Sequence, residues 1–194
     1  MSRTPSKMVP LGTAMPDFTL PSGDGQMYKA QAIRGEVGTL VIFICNHCPF
    51  VVHVANELAA LGRDYHGQDL HIVAINSNDA EQYPDDAPEQ MVTVAASWGL
   101  TYPYLYDQTH DVARAFEAAC TPDFFLFDHG GQLVYRGQLD DSRPGNDLPV
   151  TGQDLRSAMD ALLAGDAISA TQTPSMGCNI KWKAAAPCCN GDCT

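Results

Sequence analysis

Cys45 and Cys48 are separated by two residues in the segment Cys45-Asn46-His47-Cys48-Pro49. Two thiols at that spacing can act together, one sulfur attacking a substrate disulfide and the other resolving the mixed intermediate. Pro49 suits the first turn of a helix, where its missing N–H costs nothing. The pair therefore lies where backbone N–H groups are unpaired and the helix dipole is positive. Both effects favour thiolate over thiol, and the thiolate is the nucleophile. His47 lies between the two cysteines, and an imidazolium there would lower the thiol pKa further. Sulfurs within one helical turn should also close an intramolecular disulfide on mild oxidation. The spacing has two competing meanings. One is half a zinc site, for which the chain offers no second C-x-x-C. The other is a pair of buried packing thiols.

The elements that must hold this pair are legible around it. Thr39-Leu40-Val41-Ile42-Phe43-Ile44 is the apolar, β-branched run of a strand buried on both faces. After Pro49, the residues Val51, Val54, Ala55, Leu58 and Leu61 recur at helical spacing, with Gly62 or Gly67 as the stop. Leu70 to Ile75 is a second buried strand, and a strand–helix–strand crossover makes the two strands parallel. Asp79 to Asp86 is polar and acidic, hence a loop. Pro88 opens a helix carrying Met91, Val94, Ala95 and Trp98 and ending at Gly99, and Thr109 can cap a shorter one through Phe116. Phe124 to Phe127 and Gln132 to Leu139 read as a hairpin around His129-Gly130-Gly131. Thr151-Gly152-Gln153-Asp154 resembles a capping box for a last helix through Leu155, Ala158, Met159 and Leu162, closed by Gly165. From about Thr171 the composition turns small, polar and cysteine-rich. The expectation is an α/β domain over residues 1–170, a central mixed sheet flanked by helices on both faces, with a C-terminal extension over 171–194.

Composition bounds the function. At 194 residues and 20.9 kDa the chain suits one domain with extensions. Eleven Lys and Arg against 23 Asp and Glu give a net charge of −12, a field that repels phosphate backbones and anionic lipid. No nucleic-acid or membrane partner is expected. The first eight residues have no apolar stretch behind their positive charge, and no run approaches the ~18 apolar residues of a span. The expected location is cytoplasmic. In a reducing compartment, seven cysteines point to redox chemistry or metal more than to structural bridges.

Several segments together resemble a known family. Gly12-Thr13-Ala14-Met15-Pro16-Asp17-Phe18-Thr19-Leu20 resembles the opening segment of the peroxiredoxin and thiol-specific-antioxidant (redoxin) branch of the thioredoxin superfamily. Cys45-Asn46-His47-Cys48-Pro49-Phe50 resembles the active-site segment of its peroxiredoxin-like members that carry C-x-x-C. Thr121-Pro122-Asp123-Phe124-Phe125-Leu126-Phe127-Asp128 resembles the superfamily's Thr–cis-Pro loop and following strand, and Tyr135 to Gly137, Asp140 to Pro144 and Gly177 to Trp182 are also similar. The likeness implies a thioredoxin-like fold, Cys45 and Cys48 as redox residues, and a cis Pro122 whose loop faces them and offers backbone groups to an extended substrate. The implied partners are protein or small-molecule disulfides and thiols, peroxide as a further substrate, and a thiol reductant. No cofactor is implied.

The departures shape the expected reaction. Peroxiredoxins carry P-x-x-x-T-x-x-C, whose Thr and a distant Arg bind peroxide. Aligned on Cys48-Pro49, the Thr position is Cys45, the Pro position Val41, and the Arg position Pro122. Dithiol–disulfide exchange is therefore expected first. The alternative is a thiol-dependent peroxidase, with Cys48 attacking and Cys45 resolving a sulfenic acid. A copper- or zinc-binding protein ranks third, because the copper-carrying relatives space their cysteines as C-x-x-x-C-P. The order of attack stays open: thioredoxins attack with the first cysteine, whereas counting from the strand favours Cys48. Cys120 and Cys178 read as buried structural thiols, Cys188, Cys189 and Cys193 as an unpaired tail, and Arg136, Asp140, Asp141 and Arg143 as a solvated ion-pair cluster.

Overall fold

Gly38–Phe43 is buried at all six positions, and the rest of the chain is built on it. Leu40 and Ile42 face one apolar cluster, Val41 and Phe43 another, the period-two alternation of a strand covered on both sides. The computed structural model describes residues 3–183. In chain order these form β1 (Arg3–Pro5), β2 (Thr19–Pro21), β3 (Met27–Lys29), β4 (Gly38–Phe43), α1 (Pro49–Asp64), β5 (Leu70–Asn76), α2 (Pro88–Trp98), β6 (Tyr104–Tyr106), α3 (Asp111–Ala115), β7 (Cys120–Thr121), β8 (Asp123–Asp128), β9 (Leu133–Tyr135), α4 (Gln153–Ala164) and β10 (Met176–Asn179).

The central sheet has the order β6-β5-β4-β8-β9. β4 and β5 are parallel with Val41 opposite Val73, as the crossover requires, while β8 runs antiparallel with Val41 opposite Phe125. One face packs on α1 and α4 through Val51, Leu58, Leu61, Leu155 and Met159. The other carries edge-to-face aromatic contacts of Phe116 with Phe43, Phe125 and Phe127. Such contacts add to their area burial. Gly99 ends α2 in the left-handed conformation (φ 73°), which costs glycine nothing. Among the described residues no helix is long and apolar enough to cross a membrane.

Three expectations need correction. Residues Met176–Asn179 belong to the domain rather than to an extension: β10 lies between β1 and β7, pairing Arg3 with Cys178 and Cys178 with Thr121. A four-residue strand of small residues carries no periodic signature, so its partners make it a strand. The tail cysteines Cys188, Cys189 and Cys193 lie outside the described residues. The segment 79–86 is a loop, as expected, but the acidic residues at its two ends are not solvated, Asp79 and Asp86 being 2% and 0% exposed. Nor is Asp140 solvated. It is buried, and its Oδ2 accepts the N–H groups of Thr151 (2.6 Å) and Gly152 (2.7 Å) at the start of α4.

Candidate active site

β4 ends at Phe43 and α1 begins at Pro49, so the segment 45–48 bridges the strand and the first helical turn. Cys48 is the N-cap residue of α1. The segment is pinned by Asn46, whose backbone N–H donates to Asp86 Oδ1 (2.8 Å) and whose Nδ2 donates to Asp85 O (2.8 Å), while Tyr104 OH donates to Asn46 Oδ1 (3.0 Å). Opposite it, the Thr121–Pro122 peptide is cis, as the resemblance implied. Thr121 touches both sulfurs: its Oγ1 lies 3.4 Å from Cys45 Sγ, and its carbonyl oxygen 3.1 Å from Cys48 Sγ.

The two sulfurs are not equivalent. A hydrogen bond from the Cys45 thiol is the largest influence on Cys48, and a second one comes from Cys178. The Val51 N–H in the first turn of α1 adds a weaker pull without completing a capping bond. Burial opposes these donors, the Thr121 hydroxyl joins them, and the Thr121 carbonyl accepts from the thiol form. The donors win, and Cys48 falls from 9.0 to about 5. Cys45 moves the other way. Its proton is held by Cys48, its sulfur is desolvated, and the Asp86 carboxylate repels a second negative charge, so its pKa stands well above the ordinary value. The electrostatics thus favour the thiolate at Cys48, with Cys45 as its hydrogen-bond donor. The order left open by the sequence is thereby assigned an electrostatic preference.

His47 takes an unexpected place. Its Nδ1 is 2.9 Å from Asp86 Oδ2, but the approach lies off the N–H axis and Nδ1 completes no hydrogen bond. The ring stacks on Tyr83 (5.9 Å between centroids, 10° between planes). It is not among the influences on Cys48. Asp86 is the residue that sequence reasoning missed: fully buried, it accepts from Asn46 N and from Asn78 Nδ2 (2.7 Å), besides facing His47. Ligand atoms of Cys45, His47 and Asp86 lie within 4.8 Å of one another, an arrangement the ion pair and the pinned loop already account for.

Both cysteines are 1% exposed. Access is through a cavity of about 460 Å³ lined by Cys45, His47, Cys48, Tyr83, Cys178 and Lys181. Cys120 has the structural place expected of it: it is fully buried, donates to Pro122 O (3.6 Å), and burial drives its pKa far up. His53 does not reach the pair, its Nε2 contacting Ser142 Oγ at 2.8 Å.

Comparison with known proteins agrees with this architecture. Thiol-disulfide oxidoreductase YkuV of Bacillus subtilis (strain 168) is 31% identical over 113 residues, which is 57% of this chain and 72% of the relative. The crystal structure of an uncharacterized conserved protein from Geobacillus kaustophilus superposes with a TM-score of 0.94 at 52% identity, covering 96% of this chain and 99% of that one. The thioredoxin domain of a thiol-disulfide oxidoreductase from Bacteroides vulgatus shares the fold at a TM-score of 0.61 and 14% identity, over 80% of this chain and 99% of that one. The Redoxin family model matches residues 10–155. With its thioredoxin-like fold, the chain belongs to the Redoxin family.

Proposed function

We propose that the protein is a thiol–disulfide oxidoreductase in which Cys48 attacks and Cys45 resolves. The asymmetry of the two sulfurs carries this reading: one thiol populated as thiolate near neutral pH, the other holding the proton beside it. The Cys48 thiolate attacks a substrate disulfide, giving a mixed disulfide and a released substrate thiolate. Cys48 then no longer carries charge, so the largest cause holding the Cys45 proton disappears. The Cys45 thiolate attacks Cys48 Sγ, closes the Cys45–Cys48 disulfide and expels the second substrate thiolate. An external thiol reductant returns the pair to the start. Pro122 positions Thr121 against both sulfurs. His47 is a positioning residue that acts through Asp86, its ring lying against the carboxylate that opposes a Cys45 thiolate. Curated relatives similar in sequence are named thiol-disulfide oxidoreductases, which supports the same chemistry.

The test is trapping by mass spectrometry with oxidised glutathione as the probe. In Cys45→Ser the first glutathione adduct formed should be on Cys48, and Cys48→Ser should form none on Cys45 at the same pH. Adducts on Cys45 alone would reverse the assignment. Hydrogen peroxide consumption with dithiothreitol as reductant, faster than glutathione disulfide turnover, would replace the exchange reading by the peroxidase one.

A further inference from the structure

An exposed sheet edge beside a reactive sulfur can receive an extended ligand as an added strand. Here the edge beside Thr121 is already taken by β10, with Cys178 opposite Thr121 and Asn179 opposite Cys120. The approach depends on Gly177, where a Cβ would overlap the Thr121 carbonyl. The strand is held along its length: Ser175 Oγ donates to Pro122 O (2.8 Å), β1 pairs along its outer side, and the Lys181 N–H donates to Asn78 Oδ1 (2.8 Å). A third buried thiol is thus set against the residue that touches the other two. Cys178 lines the same cavity as Cys45 and Cys48 and is hydrogen-bonded to Cys48.

From this geometry we propose that Cys178 is a third redox thiol, which attacks an oxidised Cys48 and forms a Cys48–Cys178 disulfide, so that β10 acts as an internal exchange partner in the substrate position. The inference rests on Cys48 being the attacking thiolate. With a disulfide RSSR, Cys48 S⁻ forms Cys48–SR and releases RS⁻, which takes the Cys178 proton. The Cys178 thiolate then attacks Cys48 Sγ, the Cys48–SR bond breaks, and the second RS⁻ leaves to take a solvent proton. Two electrons pass from the enzyme thiols to RSSR. The same attack on a Cys45–Cys48 disulfide returns Cys45 to the thiol and moves the bridge to Cys178.

The charges around the two resolving candidates differ in sign. Once Cys48 is in a disulfide, its charge opposes neither neighbour. What remains at Cys45 is desolvation and the Asp86 carboxylate, which disfavour a thiolate, against the Thr121 hydroxyl, which favours one; at Cys178 it is desolvation offset by the positive charge of Lys181. Both are buried, so the sign of that nearest charge separates them.

The experiment uses the full chain with Cys188, Cys189 and Cys193 changed to Ser, oxidised glutathione as probe, acid quench, alkylation and peptide mapping. With Cys45→Ser added, the adduct on Cys48 should give way to a Cys48–Cys178 disulfide. Adding Cys178→Ser as well should raise the standing adduct on Cys48 at least tenfold. A persistent Cys48 adduct beside an alkylatable Cys178 would overturn the inference while leaving Cys48 as nucleophile. A chain with neither adduct nor bridge at Cys48 would overturn the proposed function instead. The chain that keeps Cys45 gives a second measurement independent of that variant's folding. In glutathione buffers of graded ratio it should show a Cys48–Cys178 population, and finding Cys45–Cys48 alone would overturn the inference.

Discussion

Replacing Cys45 with Ala removes the donor that acts most strongly on Cys48. The fall from 9.0 to about 5 is a ten-thousandfold gain in acidity, about 5 kcal/mol in favour of the thiolate. A hydrogen bond to a charged group contributes about 1.5–3 kcal/mol of such a preference. The variant should therefore hold its Cys48 proton roughly ten- to a hundredfold more tightly, the Cys178 and Val51 donors supplying what is left. Alkylation of Cys48 by iodoacetamide, read by peptide mapping so that other thiols do not contribute, should slow by about two- to tenfold near pH 6, by the full factor below pH 5, and converge with wild type at high pH. Thiolate ultraviolet absorbance gives the same midpoint without depending on access to the cavity. Adding Cys178→Ala should move the midpoint further in the same direction. Superimposable curves for wild type and Cys45→Ala would refute the donor argument. A wild-type midpoint at or above 9.0 would mean that burial and the Thr121 carbonyl outweigh all the donors.

Further outcomes follow from the same contacts. His47→Leu should leave the Cys48 alkylation curve in place, because the ring lies on Asp86, but slow closure of the Cys45–Cys48 disulfide after rapid mixing with oxidised glutathione; equal closure rates would remove His47 from the second step. The folded pKa of Cys48 lies below its unfolded value, so its stabilisation is complete above pH 9 and is lost as pH falls through about 5. Urea unfolding of the reduced minus the oxidised protein should accordingly rise by ~1.4 kcal/mol per pH unit across that window, and a flat difference would contradict the thiolate. Asp123 is buried with its pKa raised from 3.8 to about 7, so its contribution has the opposite sign and declines as pH rises through 7. Asp123→Asn keeps an acceptor for the Ala119 N–H and should stabilise the fold by a few kcal/mol at pH 8 but little at pH 4, measured by thermal or urea unfolding; destabilisation at pH 8 would be the contrary result. Gly177→Ala should destabilise by about 1–3 kcal/mol through overpacking against Thr121, and an unchanged urea midpoint would show that β10 can shift at no cost.

The parts legible in the sequence are those whose signal is local. β4 and β5 are continuous apolar runs, α1 and α4 repeat apolar residues at helical spacing, and Cys45 and Cys48 are set by short-range spacing. Thr121 and Pro122 were reached through resemblance, and the cis bond agrees. Asp86 was not legible, because an acidic residue in a polar stretch reads as solvated unless the partners that bury it are known. Asn46 is 40 positions away from it and Asn78 eight. Adjacency in sequence aims His47 at the thiols, yet its ring faces the buried Asp86 carboxylate, 2.9 Å from Nδ1. Cys178 is buried, as its reading had it, but its place beside Thr121 was not legible for a related reason: a strand of Met-Gly-Cys-Asn has no alternation to detect, and its pairing with residues 3–5 and 120–121 is wholly non-local.

That non-local strand also orders events during synthesis. The five-stranded sheet and both redox-pair cysteines are complete once Tyr135 has been made. Cys178 follows Cys48 by about 130 residues, on the order of ten seconds at ~5–20 residues per second. Throughout that interval the nascent chain carries Cys45 and Cys48 without the strand that later lies beside them, and Arg3–Pro5 has no partner to pair with. The earliest bridge open to the growing polypeptide is therefore Cys45–Cys48, and the three-thiol arrangement is assembled last, when the two distant ends of the domain meet at the sulfurs.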